Sequence, residues 1–488
     1  MLIQFKKVNS QSKGTNYICF LLQEYFMNIH LKYTEIVIAL FFILLLSCSG
    51  KEEDTIKEPP LFKSSIPVDN EEDVSPSVQI EVNFNEVVYL VEDHDITVNN
   101  NVADVVEAYT KILINAALVK NETYVVKIPK GALVNMDEVP LAEDIQFSFK
   151  TEKSIPVDLD QTLVTANPSS EAVNVYDFLL ENYGKKIISA AMANVSWNTN
   201  EAEWVKQHTG KYPAMATFDY IHLHYSPANW IDYSKIDFIE EWWNTNGLVA
   251  AGWHWNVPKS EGSAEYDFYT SGTTFEAANA TVEGTWENTV VQADLEKLAD
   301  YLKLLRDKNI PLIWRPLHEA AGNIYEYQNG TAWFWWGNGG AEAFKKLWIY
   351  MFDYFQEQEL NNLIWVWTTQ TKDQDFYPGD EYVDIIGRDI YNQTNATNIA
   401  AQFVAIQETY PNKMVTLSEC GSVANISEQW ESGAKWSYFM PWYDYERTNN
   451  TTEADFSETN HEHASVVWWT DTFENEDVIS RDEMPSLK

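Results

Sequence analysis

The sequence has few cysteines, few basic residues and no long apolar run. Three cysteines, at positions 19, 48 and 420, are too few for a disulfide framework in a chain of 488 residues. Lys and Arg number 33 against 73 Asp and Glu, so the formal net charge is −40 and nucleic acid is a disfavoured partner. The longest apolar run, from Ile36 to Leu46, is too short to cross a membrane.

The sequence signals of several common chemistries are also missing. No G-x-G-x-x-G follows the first predicted strand of the larger region, and neither G-x-S-x-G nor a phosphate-binding glycine loop occurs. His222 with His224, and His461 with His463, are spaced two apart without a third ligand, so we expect no metal and no cofactor. Cys420 has no histidine close in sequence and is predicted to be a packing residue.

What the chain does contain is typical of a folded protein of more than one unit. A hydrophobic content of 45% with 22% charged residues allows a substantial core. A length of 488 residues leaves room for one large domain and a smaller one. The 20 Trp and 26 Tyr residues suit an aromatic core, and flat aromatic faces also suit sugar rings.

The first fifty residues are predicted to be a targeting segment. The apolar run follows Lys32 and ends at Cys48, which resembles a bacterial lipoprotein signal; a buried core segment is the alternative. We predict a leader over residues 1–50, a true start at Met27, lipid on Cys48 and a linker over residues 51–58. The acidic stretch after Cys48 resembles a Bacteroidetes export signal, although a solvated linker explains it nearly as well. The expected location is therefore the outer membrane, facing the cell surface or, alternatively, the periplasm.

Residues 59–153 show the pattern of a small all-β domain. Val78 to Phe84, Tyr124 to Ile128 and Ile145 to Thr151 alternate apolar and polar residues, as half-buried strands do. The pattern predicts a β-sandwich and resembles a bacterial immunoglobulin-like module. Because no aromatic row marks a sugar-binding face, we expect a spacer in preference to a binding module.

Residues 154–488 alternate strand-like runs with helical patterns, which is the form of a parallel sheet with crossover helices. Eight runs are predicted as strands: Lys186 to Met192, Tyr212 to Phe218, Leu248 to Trp253, Pro311 to Leu317, Leu363 to Trp367, Val383 to Ile386, Lys413 to Leu417 and Trp436 to Met440. Helical spacing recurs at Leu295, Leu298, Leu302 and Leu305, and again from Phe344 to Phe355. The fold class is therefore α/β, a (β/α)8 TIM barrel, with an open doubly wound sheet as the alternative.

Two glutamates end predicted strands of this barrel. Strand four leads to Glu319 and strand seven to Glu419, and the C-terminal ends of barrel strands form the usual site of chemistry. Glycoside cleavage needs such a pair, with Glu319 protonated as the acid and Glu419 ionised as the nucleophile. We predict that the two carboxyl groups lie about 5 to 5.5 Å apart, the spacing of a retaining mechanism. Arg315 either supports this charge pattern or forms an interior ion pair.

The flanking residues resemble glycoside hydrolase family 26. The motifs that carry this resemblance are Trp-Arg-Pro-Leu-His-Glu at 314–319, Ala-Trp-Phe-Trp-Trp-Gly at 332–337 and Leu-Ser-Glu at 417–419. The resemblance covers about residues 160–475 and implies that Glu319 is the acid/base and Glu419 the nucleophile. It also implies that substrate contacts come from His318, Trp253, His254, Trp333, Tyr391 and Trp442. One departure is an insertion at 323–331, which makes the role of Trp333 less secure.

The same resemblance implies a polysaccharide substrate, with β-1,4-mannan as the first expectation. Mixed-linkage β-glucan and β-1,3-xylan are alternatives within the family, and a surface glycan-binding lipoprotein without catalysis is the alternative from another class. The long segment from Asn256 to about Asn288 is predicted to line one side of the cleft. We expect a tethered monomer.

Overall fold

The computed structural model describes residues 57–153, 156–327, 329–445 and 450–488. The chain divides into two compact units between Lys153 and Ser154. The predicted leader, Met27 and the proposed lipid site Cys48 lie outside the described residues. Within the described ranges, no helix has the length and apolar character needed to cross a bilayer.

The first unit consists of short strands around its own apolar core. Its strands are β1 (Phe62–Ile66), β2 (Glu71–Val74), β3 (Ile80–Phe84), β4 (Val88–Leu90), β5 (Thr97–Val98), β6 (Asn101–Val102), β7 (Asp104–Ala108), β8 (Lys111–Asn115), β9 (Thr123–Ile128), β10 (Leu133–Asn135) and β11 (Ile145–Thr151). They form sheets of order β1-β3-β8-β7, β2-β11-β9-β5-β6 and β10-β4. Alternate residues of β3, β8 and β9 are buried, because one face of each strand packs inward. The all-β prediction is confirmed.

The second unit is a closed barrel. Its strands are β12 (Ile187–Met192), β13 (Met215–Asp219), β14 (Leu248–Trp253), β15 (Val257–Pro258), β16 (Tyr266–Asp267), β17 (Leu312–Pro316), β18 (Leu363–Thr369), β19 (Ile385–Tyr391), β20 (Met414–Gly421), β21 (Tyr438–Pro441) and β22 (Val478–Ile479). Eight of them pair in parallel in the order β12-β13-β14-β17-β18-β19-β20-β21, and β21 pairs again with β12. Closure confirms the barrel prediction and shows that the open-sheet alternative is wrong.

Helices connect the barrel strands. They are α1 (Ser170–Asn182), α2 (Asn200–Thr209), α3 (Asp237–Asn244), α4 (Trp286–Arg306), α5 (Trp335–Asn338), α6 (Ala341–Glu357), α7 (Ala396–Thr409), α8 (Ile426–Glu431) and α9 (Val466–Glu474). Side chains of Ser169, Thr285 and Asn395 accept hydrogen bonds from the first turns of α1, α4 and α7. Every residue of β12, β14 and β18 is buried, because helices cover the outer face and side chains fill the interior.

Two long loops join each other at the C-terminal mouth of the barrel. The loop after β14 contains the hairpin of β15 and β16, and α4 begins only at Trp286. Tyr269 pairs with Phe334 of the loop after β17 as an isolated antiparallel bridge. The Thr270 amide also donates to the Trp333 carbonyl at 2.8 Å. The segment predicted to line the cleft therefore lies against the loop that follows Glu319.

Candidate active site

Glu319 lies in a tight turn just after β17. Leu317 and Glu319 have φ of 48° and 50°, in the left-handed region that non-glycine residues seldom adopt. Trp336 Nε1 donates to the His318 carbonyl at 2.9 Å, and the Gly322 amide donates to the Glu319 carbonyl at 2.9 Å. The surrounding chain thus holds a backbone conformation that costs about 1–3 kcal/mol per residue, which is typical of functional sites.

Glu419 reaches the barrel interior through an irregularity in β20. Leu417 pairs with Arg388 and Glu419 pairs with Asp389, so Ser418 is an extra residue in β20. Ser418 Oγ donates to Asp389 Oδ1 at 2.6 Å, while the Glu419 side chain reaches groups on β17 and β19. Such bulges are common beside active sites, where they change the direction of a side chain.

Arg315 and Tyr391 hold the Glu419 carboxylate by both of its oxygens. Arg315 Nη2 donates to Glu419 Oε2, and Tyr391 Oη donates to Glu419 Oε1 at 2.7 Å. Arg315 is buried, and its Nη1 donates to Asp389 Oδ2 at 2.8 Å. The structure therefore agrees with both interpretations of Arg315, since its guanidinium forms an interior ion pair with Asp389 and also contacts Glu419, the predicted nucleophile.

Gly421 gives Tyr391 the room that this contact needs. A Cβ at position 421 would lie 2.6 Å from Tyr391 Cε1 and 2.5 Å from His463 Nδ1. Glycine is therefore the residue that fits beside the ring, because any side chain would displace the tyrosine from Glu419.

The electrostatic environments of Glu319 and Glu419 differ. Burial raises the pKa of Glu319 well above its ordinary value, and the Asp389 and Glu419 carboxylates raise this pKa further, against the opposing effect of Arg315. Glu419, by contrast, accepts a hydrogen bond from a guanidinium. Burial and neighbouring carboxylates thus favour the neutral form of Glu319, whereas Glu419 lies against two hydrogen-bond donors.

Two histidines lie beside the glutamates. His254 Nδ1 contacts Asp219 Oδ2 at 2.6 Å, and its ring centre lies 4.4 Å from that of His318. Burial opposes protonation of His254, but the Asp219 carboxylate outweighs burial and raises its pKa. Burial, Arg315 and His254 lower the pKa of His318 well below its ordinary value. The neutral form of His318 is therefore favoured, whereas contact with Asp219 favours the protonated form of His254.

The predicted aromatic contacts divide into exposed and buried side chains. Trp333 is 39% exposed and packs against Gly322, three residues after Glu319. Trp442 is 7% exposed, and its ring centre lies 5.6 Å from that of His254. Trp253 is only 1% exposed and stacks on Trp255 with ring centres 3.9 Å apart. Trp253 thus packs in the barrel interior, and its predicted sugar contact stays a prediction.

Sequence reasoning missed three residues of the site. Asp219 ends β13 and holds His254, so the rule that selected the two glutamates would also have found it. Gln370 follows β18 and donates from Nε2 to Glu319 Oε1 at 3.0 Å. Ser418 binds Asp389. Gln370 carries no sequence signal, because uncharged polar residues near strand ends are common, and Ser418 lies in the Leu-Ser-Glu motif but was given no role.

The remaining candidates for chemistry are engaged in the fold. His461 Nε2 contacts the buried Glu201 at 2.5 Å, and the His224 ring stacks on that of Tyr266. Across the described ranges, no three His, Cys, Asp or Glu side chains are grouped so as to hold a metal ion. Burial raises the pKa of the Cys420 thiol, so this side chain is a buried neutral thiol in agreement with the packing prediction.

This geometry supports acid-assisted nucleophilic displacement at a carbon bearing an oxygen leaving group. Glu319, whose pKa is raised, can supply a proton, and the Glu419 side chain, bound by Arg315 and Tyr391, can supply an electron pair. Aromatic side chains beside the pair, such as Trp333, offer flat apolar faces. The combination is what cleavage of a glycosidic bond requires.

Comparison with known proteins agrees with this chemistry. The profile of the bacterial Ig-like domain matches residues 56–151, and that of glycosyl hydrolase family 26 matches residues 164–470. A mannan endo-1,4-beta-mannosidase A from Piromyces sp is 33% identical over 345 residues, covering 69% of this chain and 52% of that protein. This chain spans about half the length of such curated relatives.

Solved structures extend the comparison. The family 26 domain of an endo-beta-mannanase/endo-beta-glucanase from Prevotella bryantii is 38% identical with a TM-score of 0.61, covering 67% of this chain and 99% of that one. A beta-mannanase from a symbiotic protist of the termite Reticulitermes speratus is 36% identical with a TM-score of 0.57, covering 68% of this chain and 100% of that one. Since the family profile spans more than half of the chain and includes both glutamates, this chain belongs to glycosyl hydrolase family 26.

Proposed function

We propose that this protein is a retaining glycoside hydrolase that cleaves β-1,4-mannosidic linkages within mannan, glucomannan or galactomannan. The observation that carries the proposal is that two carboxyl groups at the C-terminal mouth of the barrel have different surroundings. The pKa of Glu319 is raised, mainly by burial, whereas Glu419 is held by Arg315 and Tyr391. An acid needs a raised pKa, and a nucleophile needs donors that orient its carboxylate, so these contacts support the proposed roles.

In the first step, Glu319 donates its proton to the glycosidic oxygen while Glu419 attacks the anomeric carbon. The bond to the departing sugar breaks, and a glycosyl ester of Glu419 forms. Esterification removes the negative charge of Glu419, which is one of the charges that raise the pKa of Glu319. Glu319 therefore ionises more readily in the intermediate than in the free enzyme.

In the second step, the ionised Glu319 takes a proton from water, and the resulting hydroxide attacks the same anomeric carbon. The ester bond breaks and Glu419 is restored as a carboxylate. Two displacements at one carbon return the original β configuration. The short separation predicted for the two carboxyl groups is the geometry that this route requires.

Mannan is proposed as the substrate because of the names of the curated proteins that this chain resembles. Curated proteins at 31–35% identity carry the name mannan endo-1,4-beta-mannosidase. The Prevotella bryantii enzyme is also described as an endo-beta-glucanase, so mixed-linkage β-glucan is the second candidate. An uncharged polysaccharide agrees with a formal net charge of −40, because it suffers no repulsion from the acidic surface.

Incubation of the chain lacking residues 1–50 with galactomannan, lichenan and β-1,3-xylan tests the substrate. We expect new reducing ends mainly from galactomannan, with the β anomer appearing first in the proton NMR spectrum because the mechanism retains configuration. Initial appearance of the α anomer would contradict the double displacement. Binding of galactomannan without cleavage would favour the non-catalytic glycan-binding alternative.

We further propose that the enzyme is a monomer tethered to the outer membrane through lipid on Cys48. The apolar run that ends at this cysteine supports the proposal, and the immunoglobulin-like unit then acts as a spacer at the cell surface. In a Gram-negative host fed radioactive palmitate, the full chain should be labelled and membrane-bound, whereas Cys48→Ser should be unlabelled. Equal labelling of both forms would contradict Cys48 as the site. Digestion by protease added to intact cells would separate the surface from the periplasmic location.

A further inference from the structure

Gln370 is held directly beside the predicted acid/base residue. It follows β18, the neighbour of the strand that leads to Glu319, and its Nε2 donates to Glu319 Oε1 at 3.0 Å. Its own backbone amide donates to Asp373 Oδ2 at 2.6 Å, and Thr369 Oγ1 donates to Asp373 Oδ1 at 2.7 Å. The chain at Gln370 is therefore fixed by a buried carboxylate.

Arg388 determines which way the Gln370 amide points. Arg388 Nη1 lies 3.4 Å from Gln370 Oε1 and 3.2 Å from the Thr369 carbonyl, and its Nε donates to Gln402 Oε1 at 3.1 Å. A guanidinium has donors only, so the amide oxygen must face Arg388 and the amide nitrogen must face Glu319. A flipped amide would place NH2 against the Arg388 cation and lose that contact.

This orientation determines which oxygen of Glu319 carries the proton. The Gln370 NH2 group has no lone pair to accept a hydrogen bond, so Glu319 Oε1 must be the acceptor. A proton on Oε1 would point at a donor, whereas a proton on Oε2 meets no such conflict. The acidic proton is thereby directed to Oε2, the oxygen that Gln370 leaves available for a leaving group.

We propose that Gln370 and Arg388 are positioning residues that place the acidic proton of Glu319 on Oε2, ready for the glycosidic oxygen. The proposal rests on the acid/base role given to Glu319 above. The same hydrogen bond favours the ionised form of Glu319, which the second step needs as a base. Arg388 acts in the same direction, because its positive charge opposes the burial that raises the pKa of Glu319.

The Gln370→Ala variant of the full chain tests the proposal with two substrates. Mannohexaose has a poor leaving group that needs the proton, whereas a 2,4-dinitrophenyl β-mannotrioside does not. We expect kcat/KM for mannohexaose to fall about tenfold or more, since a hydrogen bond to a charged group is lost, and kcat/KM for the dinitrophenyl substrate to fall less than about threefold. The basic limb of the mannohexaose pH profile should move to higher pH, because ionised Glu319 loses a donor.

Two further variants separate positioning from a structural role. Gln374→Ala is the matched control, since Gln374 is an exposed glutamine of the same loop that does not contact Glu319, and it should leave both rates and the pH profile unchanged. Gln370→Glu keeps the shape of the side chain and replaces the donor with a carboxyl group. It should move the basic limb upward even if Gln370→Ala folds poorly.

The positioning role would be overturned if, in either Gln370 variant, kcat/KM fell equally for both substrates and the basic limb of the pH profile did not move. Failure of the unmodified protein to cleave either substrate would instead contradict the proposed function. Arg388→Lys preserves the positive charge but not the planar guanidinium. Its kcat/KM for mannohexaose should lie between those of the unmodified protein and Gln370→Ala. A decrease of kcat/KM for the dinitrophenyl substrate as large as that for mannohexaose would count against the proposal.

Discussion

Replacement of Glu419 by alanine is expected to reduce cleavage of galactomannan by about 10⁴-fold or more, because the variant has no group to form the glycosyl ester. Water cannot take the place of the carboxylate efficiently, since it carries no negative charge and forms no glycosyl ester with the protein. Release of reducing ends at saturating substrate measures the loss. Loss should be equally severe on the dinitrophenyl substrate, because the nucleophile is needed whatever group departs.

The Glu419→Ala variant should still fold. Arg315 keeps its contact with Asp389 at 2.8 Å, so its charge is not left without a partner. Thermal unfolding followed by circular dichroism checks this point. Glu462→Ala is the matched control, since this glutamate follows β21 and its side chain is 57% exposed. Activity close to that of the unmodified enzyme in Glu419→Ala would exclude Glu419 as the nucleophile.

Replacement of Glu319 by alanine is expected to have the second largest effect, and the effect should depend on the leaving group. General acid catalysis contributes about 10² to 10⁴-fold, so cleavage of galactomannan should fall by that amount. The first step on a dinitrophenyl substrate should be nearly unaffected, because dinitrophenolate leaves without a proton. A burst of dinitrophenol followed by slow turnover would show that the base of the second step is also missing.

The pH profile provides an independent measure of the same residue. Activity requires the protonated form of Glu319, so it is present below the pKa of this group and lost as the pH rises through it. Because burial and two neighbouring carboxylates raise this pKa, the basic limb should lie above the range of an ordinary carboxyl group. The limb should disappear in Glu319→Ala. Equal losses on both substrates, with the basic limb retained, would contradict the acid role.

The arrangement of the site explains why these two replacements should differ. Glu419 and Asp389 both contact the guanidinium of Arg315. Among the residues that the structure describes, no cation contacts Glu319, which is bound instead by the neutral amide of Gln370. Under the proposed mechanism, the neutral donor beside Glu319 suits an acid and the cationic donor beside Glu419 suits a nucleophile.

Local pattern was enough to predict the larger elements. β14 begins at Leu248 and ends at Trp253, as predicted, because six consecutive apolar or small residues between polar segments indicate a strand covered on both faces. α4 and α6 follow apolar spacings of three and four residues. The spacing of such elements along the chain also indicated a barrel, and therefore which strand ends would meet at its mouth.

Strand limits near the site were less predictable. β19 was expected to end at Ile386 but continues to Tyr391, because Arg388 and Asp389 interrupt its apolar pattern. Asp389 is tolerated inside the barrel only because Arg315 and Ser418 bind it. β17 ends at Pro316, one residue earlier than expected, since Leu317 turns into the left-handed region. Contacts from other strands, and not local preference, determine where β19 ends.

The sequence by itself therefore determined the two domains' classes, the number of barrel strands and the two glutamates at strand ends, because each depends on residues close together in the chain. Only the tertiary structure decided that Arg315 joins Glu419 to Asp389, that Trp253 is buried and that Gln370 binds Glu319. These contacts join residues 51 to 104 positions apart. Their geometry depends on strand register, on the extra residue in β20 and on which face each side chain takes, none of which a one-dimensional pattern specifies.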